Sequence, residues 1–136
     1  MLTFSDEILN IYTAEGSDEQ SLEKLYENIA SQPCSGGTDI YLAAQTALRL
    51  MEEKYDLTKY TPAIILMTDG KSNGSMTVQD FADTYQEFQS QVPVFSIMFG
   101  DAQEKELRQL ADMTNARDFD GTENLMEAFK SVKGYN

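Results

Sequence analysis

The chain has no histidine and only one cysteine, Cys34. These shortages exclude nearly every zinc site, which draws on imidazole and thiolate, and every catalytic pairing of serine or cysteine with histidine. A lone cysteine cannot close an intramolecular disulfide, so cysteine usage leaves the redox compartment open. Just ahead of a glycine loop, Cys34 is expected to be a small buried filler and not a reactive thiol. Positive charge is scarce as well: 10 Lys and Arg stand against 23 Asp and Glu, a net charge of −13. Such a surface repels phosphate backbones and anionic headgroups, so no nucleic acid partner is expected, and cations remain the natural counter-charge. The acids also keep a domain soluble. No run approaches the roughly 18 apolar residues of a membrane helix, and MLTFSDEI lacks the basic and apolar regions of a signal peptide. Membrane insertion is not expected, and nothing in the sequence assigns a compartment.

What is present is an ordinary globular composition, 41% apolar over 136 residues, which predicts a single domain over 1–136. MLTF and ILNIYTA (8–14) are strand-like, and the three-residue break between them suits an antiparallel hairpin. Ser17 or Asp18 then caps a helix with Leu22, Leu25, Tyr26 and Ile29 at helical spacing, ended by Pro33 and Gly36-Gly37. A second helix carries Tyr41, Ala44, Ala47, Leu48 and Met51. PAIILMT (62–68) and PVFSIMFG (93–100) are continuous apolar runs of the kind found in buried parallel strands. Phe81, Tyr85 and Phe88 mark a third helix, and Leu107, Leu110 and Met113 a fourth. ARDFDGT (116–122) allows a short last strand, and Leu125, Met126, Phe129 and Val132 a closing helix. Strands alternating with amphipathic helices predict an α/β domain with a mostly parallel sheet. The periodic aromatics and methionines are expected in its core.

Two polar features interrupt this pattern. The apolar run 62–68 ends on Thr68-Asp69-Gly70, and in an open α/β sheet ligands bind outside the carboxyl ends of strands. Asp69 therefore sits where a ligand group belongs, although an Asx turn or a cap would also place an aspartate there. SGGTD (35–39) offers two glycines that let the backbone approach a ligand, then a hydroxyl on Thr38 and a carboxylate on Asp39. Either of the last two could simply cap the following helix. No GK[ST] follows the glycines, so this is not a phosphate-binding P-loop.

Taken together, GGTDIYLAAQTAL and, some 30 residues later, a strand ending TDGKSNG resemble the second and third metal-site segments of von Willebrand factor A-type (vWA) domains. FSD near the start and AFKSVKGYN at the end are similar to other parts of such domains, notably bacterial ones. The resemblance implies a Rossmann-like vWA sandwich: a mostly parallel sheet with one antiparallel edge strand and helices on both faces. It also implies a metal-ion-dependent adhesion site holding Mg2+, or Mn2+ or Ca2+, in an oxygen-only shell. Thr38 and Asp69 would be ligands, and an open coordination position would take a carboxylate from a protein partner.

The family's D-x-S-x-S segment follows none of the eleven aspartates. By resemblance the chain begins at the family's second strand, as a fragment, a gene model begun at an internal methionine or a natural short form would. The absent first strand would lie between MLTF and PAIILMT. Metal should then be held weakly or not at all, and the open strand edges should favour a homodimer of the isolated chain. The leading expectation is an adhesion-type, protein-binding module, not an enzyme. A purely structural remnant without metal is the alternative. A receiver-type phosphoacceptor domain at Asp69 with Lys71 fits less well, because the strand 93–99 ends without a lysine.

Overall fold

The computed structural model describes all residues except 15, 17, 33–35, 89–90, 101–103, 123, 125, 128–129 and 132–136. The first two strands, β1 (Leu2–Phe4) and β2 (Ile8–Ile11), form the expected antiparallel hairpin, with Leu2 opposite Ile11 and Thr3 opposite Asn10. A connection of three residues permits nothing else. The other strands, β3 (Ile64–Thr68), β4 (Val94–Met98) and β5 (Asp118–Asp120), form a parallel sheet in that order. Four helices, α1 (Glu19–Ala30), α2 (Ile40–Lys54), α3 (Val78–Glu87) and α4 (Glu104–Met113), complete the α/β pattern. Local chemistry sets their starts. Asp18 caps α1 through the Ser21 N–H at 2.9 Å, and Thr77 with Asp80 forms a reciprocal capping box on α3.

The sheet is in two parts. β1 pairs only with β2 and β3 only with β4, and among the described residues nothing hydrogen-bonds β1 to β3. Both parts nevertheless pack over α2. One core cluster joins Ile40, Ala44 and Leu48 of α2, Phe81 and Tyr85 of α3 and Leu107 and Leu110 of α4. Ile64, Leu66 and Val94 face them from the parallel sheet. Strand alternation puts Phe95 and Ile97 on the opposite face, in a second cluster with Met67 and Phe119. The apolar positions expected in α2, α3 and α4 are buried or packed against this core.

The first helix departs from expectation. None of its residues is buried, and Leu22, Tyr26 and Ile29 are 46%, 72% and 45% exposed. Helical period is there, but no described element lies over that face, so Tyr26 is not a core residue. Side-chain bonds from Gln32, just beyond the helix, to Asn10 and Tyr12 tie this region to β2. Of the expected closing helix, Leu125, Phe129 and Val132 lie outside the described residues, and Met126 is exposed. Cys34 and Pro33 are also outside them.

Candidate functional site

The carboxyl ends of β1, β3 and β4 and the start of α2 converge on one edge. Ser5, just past β1, accepts the Asp39 N–H on its carbonyl at 2.8 Å, and the Asp6 carboxylate accepts the Gly37 N–H at 3.2 Å. These bonds bring the end of β1 to the start of α2. From the other side, the loop after β3 closes on the same helix start. Asn73 and Gly74 donate their N–H groups to the Thr38 carbonyl at 2.8 and 3.0 Å. The Asn73 side chain in turn accepts the Thr38 N–H at 2.6 Å. Thr38 is thus clamped from both backbone sides while its hydroxyl stays outside the clamp.

The two residues that compete for the cap in the sequence take different parts. Asp39 is the cap. It is fully buried, with one carboxylate oxygen accepting the Leu42 N–H and the other the Met76 N–H, each at 3.0 Å. Thr38 is left half-buried beside Gly70, close enough that a Cβ on Gly70 would stand 2.9 Å from its Oγ1. Glycine at 70 therefore leaves room in front of the Thr38 hydroxyl.

Asp69 forms neither the turn nor the cap that the sequence allowed. Thr68 makes the local turn, accepting the Gly70 N–H on its hydroxyl at 3.2 Å. The Asp69 carboxylate is exposed and has no hydrogen-bond or ion-pair partner among the described residues. Gly100, at the end of β4, lies against it, with φ of +65°, a left-handed conformation that disfavours any side chain. So Thr38 faces Gly70, and Asp69 precedes that glycine at the carboxyl edge of the sheet.

The edge is negative. Burial first, then the charges of Glu106 and Asp39, push the Tyr41 phenol above its ordinary value of 10.0. Glu106 of α4 also accepts the Ser72 N–H at 3.1 Å, holding the loop after β3. Asp6 is held below its ordinary 3.8 by its own backbone N–H, then by the Gly37 N–H and the Ser5 hydroxyl. A depressed carboxylate favours the folded state above pH 3.8, and that contribution is lost as the pH falls through the folded value. In a carbon-13 titration the Asp6 carboxyl is expected to show its midpoint below 3.8, with the Gly37 amide shift following the same curve. A midpoint at or above the ordinary value would separate Asp6 from this loop.

Sequence reasoning named Thr38 and Asp69 as candidates and did not single out Asn73, whose clamp on Thr38 spans 35 residues and leaves no local signal. A family model for the von Willebrand factor type A domain matches residues 1–131. The chain belongs to that family. Among solved structures it is similar to a von Willebrand factor type A protein from Catenulispora acidiphila, at 22% identity and a TM-score of 0.76 over 98% of this chain. That likeness confirms the Rossmann-like vWA fold, and the chain spans 32% of that protein's length. No curated protein matches it by sequence. vWA domains generally mediate protein–protein interaction.

The donors at the edge suit a hard divalent cation in kind, being hydroxyl and carboxylate oxygens with no nitrogen or sulfur ligand. Among the described residues no three Asp, Glu, His or Cys side chains gather into a potential metal cage.

Proposed function

We propose that this vWA domain is a protein-recognition module of adhesion type, acting by binding and not by catalysis. Its partner meets the carboxyl edge of the sheet through a magnesium ion held weakly by the Thr38 hydroxyl and the Asp69 carboxylate. The observation that carries this reading is the exposed Asp69 carboxylate, unpartnered among the described residues, at the strand end where Gly70 faces the Thr38 hydroxyl and Gly100 lies against Asp69. A bound cation would polarise a carboxylate of the protein partner and fix its direction. The residues of this chain would supply the rest. The Asn73 clamp orients Thr38, and the Asp39 cap fixes where α2 begins. The shortage of protein oxygens explains weak binding, because Mg2+ demands near-octahedral geometry and gives up water reluctantly. The family's D-x-S-x-S ligands have no counterpart in the sequence.

Calorimetric titration with Mg2+ and Mn2+ tests this. Saturable binding near or weaker than about millimolar is expected, abolished in Asp69→Ala and weakened in Thr38→Ala. Heat that persists in Asp69→Ala would refute the assignment. A second reading is a structural remnant that binds no metal, in keeping with the fact that no three Asp, Glu, His or Cys side chains gather among the described residues, and silence with both ions would select it. The mass in solution belongs to the same experiment, since the open edges of β1 and β3 favour a homodimer of the isolated chain.

A further inference from the structure

Of the six asparagines, Asn73 alone is followed by glycine; the others precede isoleucine, alanine or leucine, or end the chain. That pairing is chemically reactive. Glycine has no Cβ, so its backbone nitrogen can close on the carbonyl carbon of the preceding asparagine side chain. Asn73 is also exposed to the water and hydroxide that such a reaction draws on. In the closed loop both reacting groups are engaged by one residue, Thr38. The side-chain carbonyl of Asn73 accepts the Thr38 N–H at 2.6 Å, and the Gly74 N–H donates to the Thr38 carbonyl at 3.0 Å. That carbonyl is crowded. It has two lone pairs but three donors: the Asn73 N–H at 2.8 Å, the Gly74 N–H at 3.0 Å and the Ser72 hydroxyl at 3.5 Å. The Gly74 bond is the longer of the two backbone bonds, and its opening frees the nucleophile. The flanks of the loop stay fixed meanwhile, since Ser72 is bonded to Glu106 and Met76 to Asp39.

We propose that Asn73 is a site of spontaneous deamidation, gated by the Thr38 clamp, and that its reaction releases Thr38 irreversibly. Gly74 loses its N–H proton to hydroxide, and its nitrogen forms a bond to Asn73 Cγ. The bond from Cγ to the side-chain nitrogen breaks, and ammonia leaves after taking a proton from water, which restores the hydroxide. Water then opens the cyclic imide at either carbonyl, giving aspartate or isoaspartate and one more negative charge on a chain of −13. The imide has no N–H at Gly74, so that bond to Thr38 is lost first. In isoaspartate the backbone runs through Cγ and is longer by one methylene. There is no slack to take this up: a Cβ on Gly37 would stand only 2.5 Å from Asn73 Oδ1. The acceptor therefore does not return to the Thr38 N–H, and the clamp is undone while Asp39 still caps α2. The carboxyl edge thus ages at a rate set by how often the loop opens. No cation enters any step.

The test keeps the whole chain at neutral pH without divalent ions, in water enriched in heavy oxygen, and maps its peptides by mass spectrometry. Asn73 is expected to convert roughly tenfold or more faster than any other asparagine, with one heavy oxygen taken up and isoaspartate as the main product. Urea well below the unfolding transition should speed the conversion in step with amide exchange of Gly74, because both require that bond to open. In the converted protein the Thr38 amide should lose its exchange protection. Freshly prepared Asn73→Asp, with an unaltered backbone and an acceptor in place, should keep it. No conversion at Asn73, equal conversion at another asparagine, or a rate indifferent to the opening of Gly74 would each overturn the proposal. So would a Thr38 amide still protected beside isoaspartate, or one already unprotected in Asn73→Asp. With metal absent throughout, failure here is distinguishable from failure of the magnesium reading.

Discussion

Replacing Phe81 by alanine is expected to cost the domain about 3–5 kcal/mol, much of the roughly 5–15 kcal/mol that holds a domain of this kind folded. Phe81 is wholly buried on the inner face of α3. Its ring stacks on Tyr85 with centroids 5.7 Å apart and an interplanar angle of 21°, and lies 6.3 Å from Tyr41 of α2. It therefore joins the two helices that flank the candidate site. Truncation removes the transfer energy of the ring and leaves a hole between helices that are anchored at both ends and poorly able to collapse. Urea unfolding followed by circular dichroism would measure the loss as a lower midpoint at unchanged slope. A cost under about 1.5 kcal/mol would mean that Tyr41 and Tyr85 close the gap.

The second large effect belongs to Asp39→Ala, at about 2–4 kcal/mol. Two groups lose their partner together: the Leu42 N–H in the first turn of α2 and the Met76 N–H in the loop before α3. The first is a helix cap; the second becomes a donor without an acceptor next to a site that was fully buried. Gly74 reports the same tight packing, since a Cβ there would stand 2.1 Å from the Asp39 carboxyl carbon. Asp69→Ala is the control. Its carboxylate is exposed and unpartnered among the described residues, so the variant should melt within about 0.5 kcal/mol of the parent while losing the proposed cation. Thermal melts of the two variants side by side would separate an aspartate that holds the loops together from one held ready for a ligand. Equal losses would contradict that division.

Much of this was legible in the sequence for a simple reason: burial imposes period. Ile64 to Met67 and most of Val94 to Met98 are apolar because strands of a parallel sheet pack against the core, although Ile65 is left 41% exposed. Phe81 and Tyr85, or Leu107 and Leu110, repeat at helical spacing because one side of each helix meets the core. Asp69 stood out because polarity begins abruptly where the strand ends. Three things were not legible. Whether Thr38 or Asp39 caps α2 depends on which way each side chain turns at one helix start, and their adjacency in sequence is silent on that. The role of Asn73 depends on a contact across 35 residues. The exposure of Tyr26 depends on what lies over α1, whereas amphipathic spacing reports only that a face could be covered.

That uncovered helix gives the molecule an uneven resistance to opening. With no buried residue of its own, α1 contributes little to the cooperative unit formed by α2, α3, α4 and the parallel strands. It can unwind or swing away at a free energy far below that of global unfolding, as segments with few buried contacts do. The domain is thus a hard centre carrying a soft shoulder, and movement of Leu22, Tyr26 and Ile29 need not disturb the edge that carries Thr38 and Asp69.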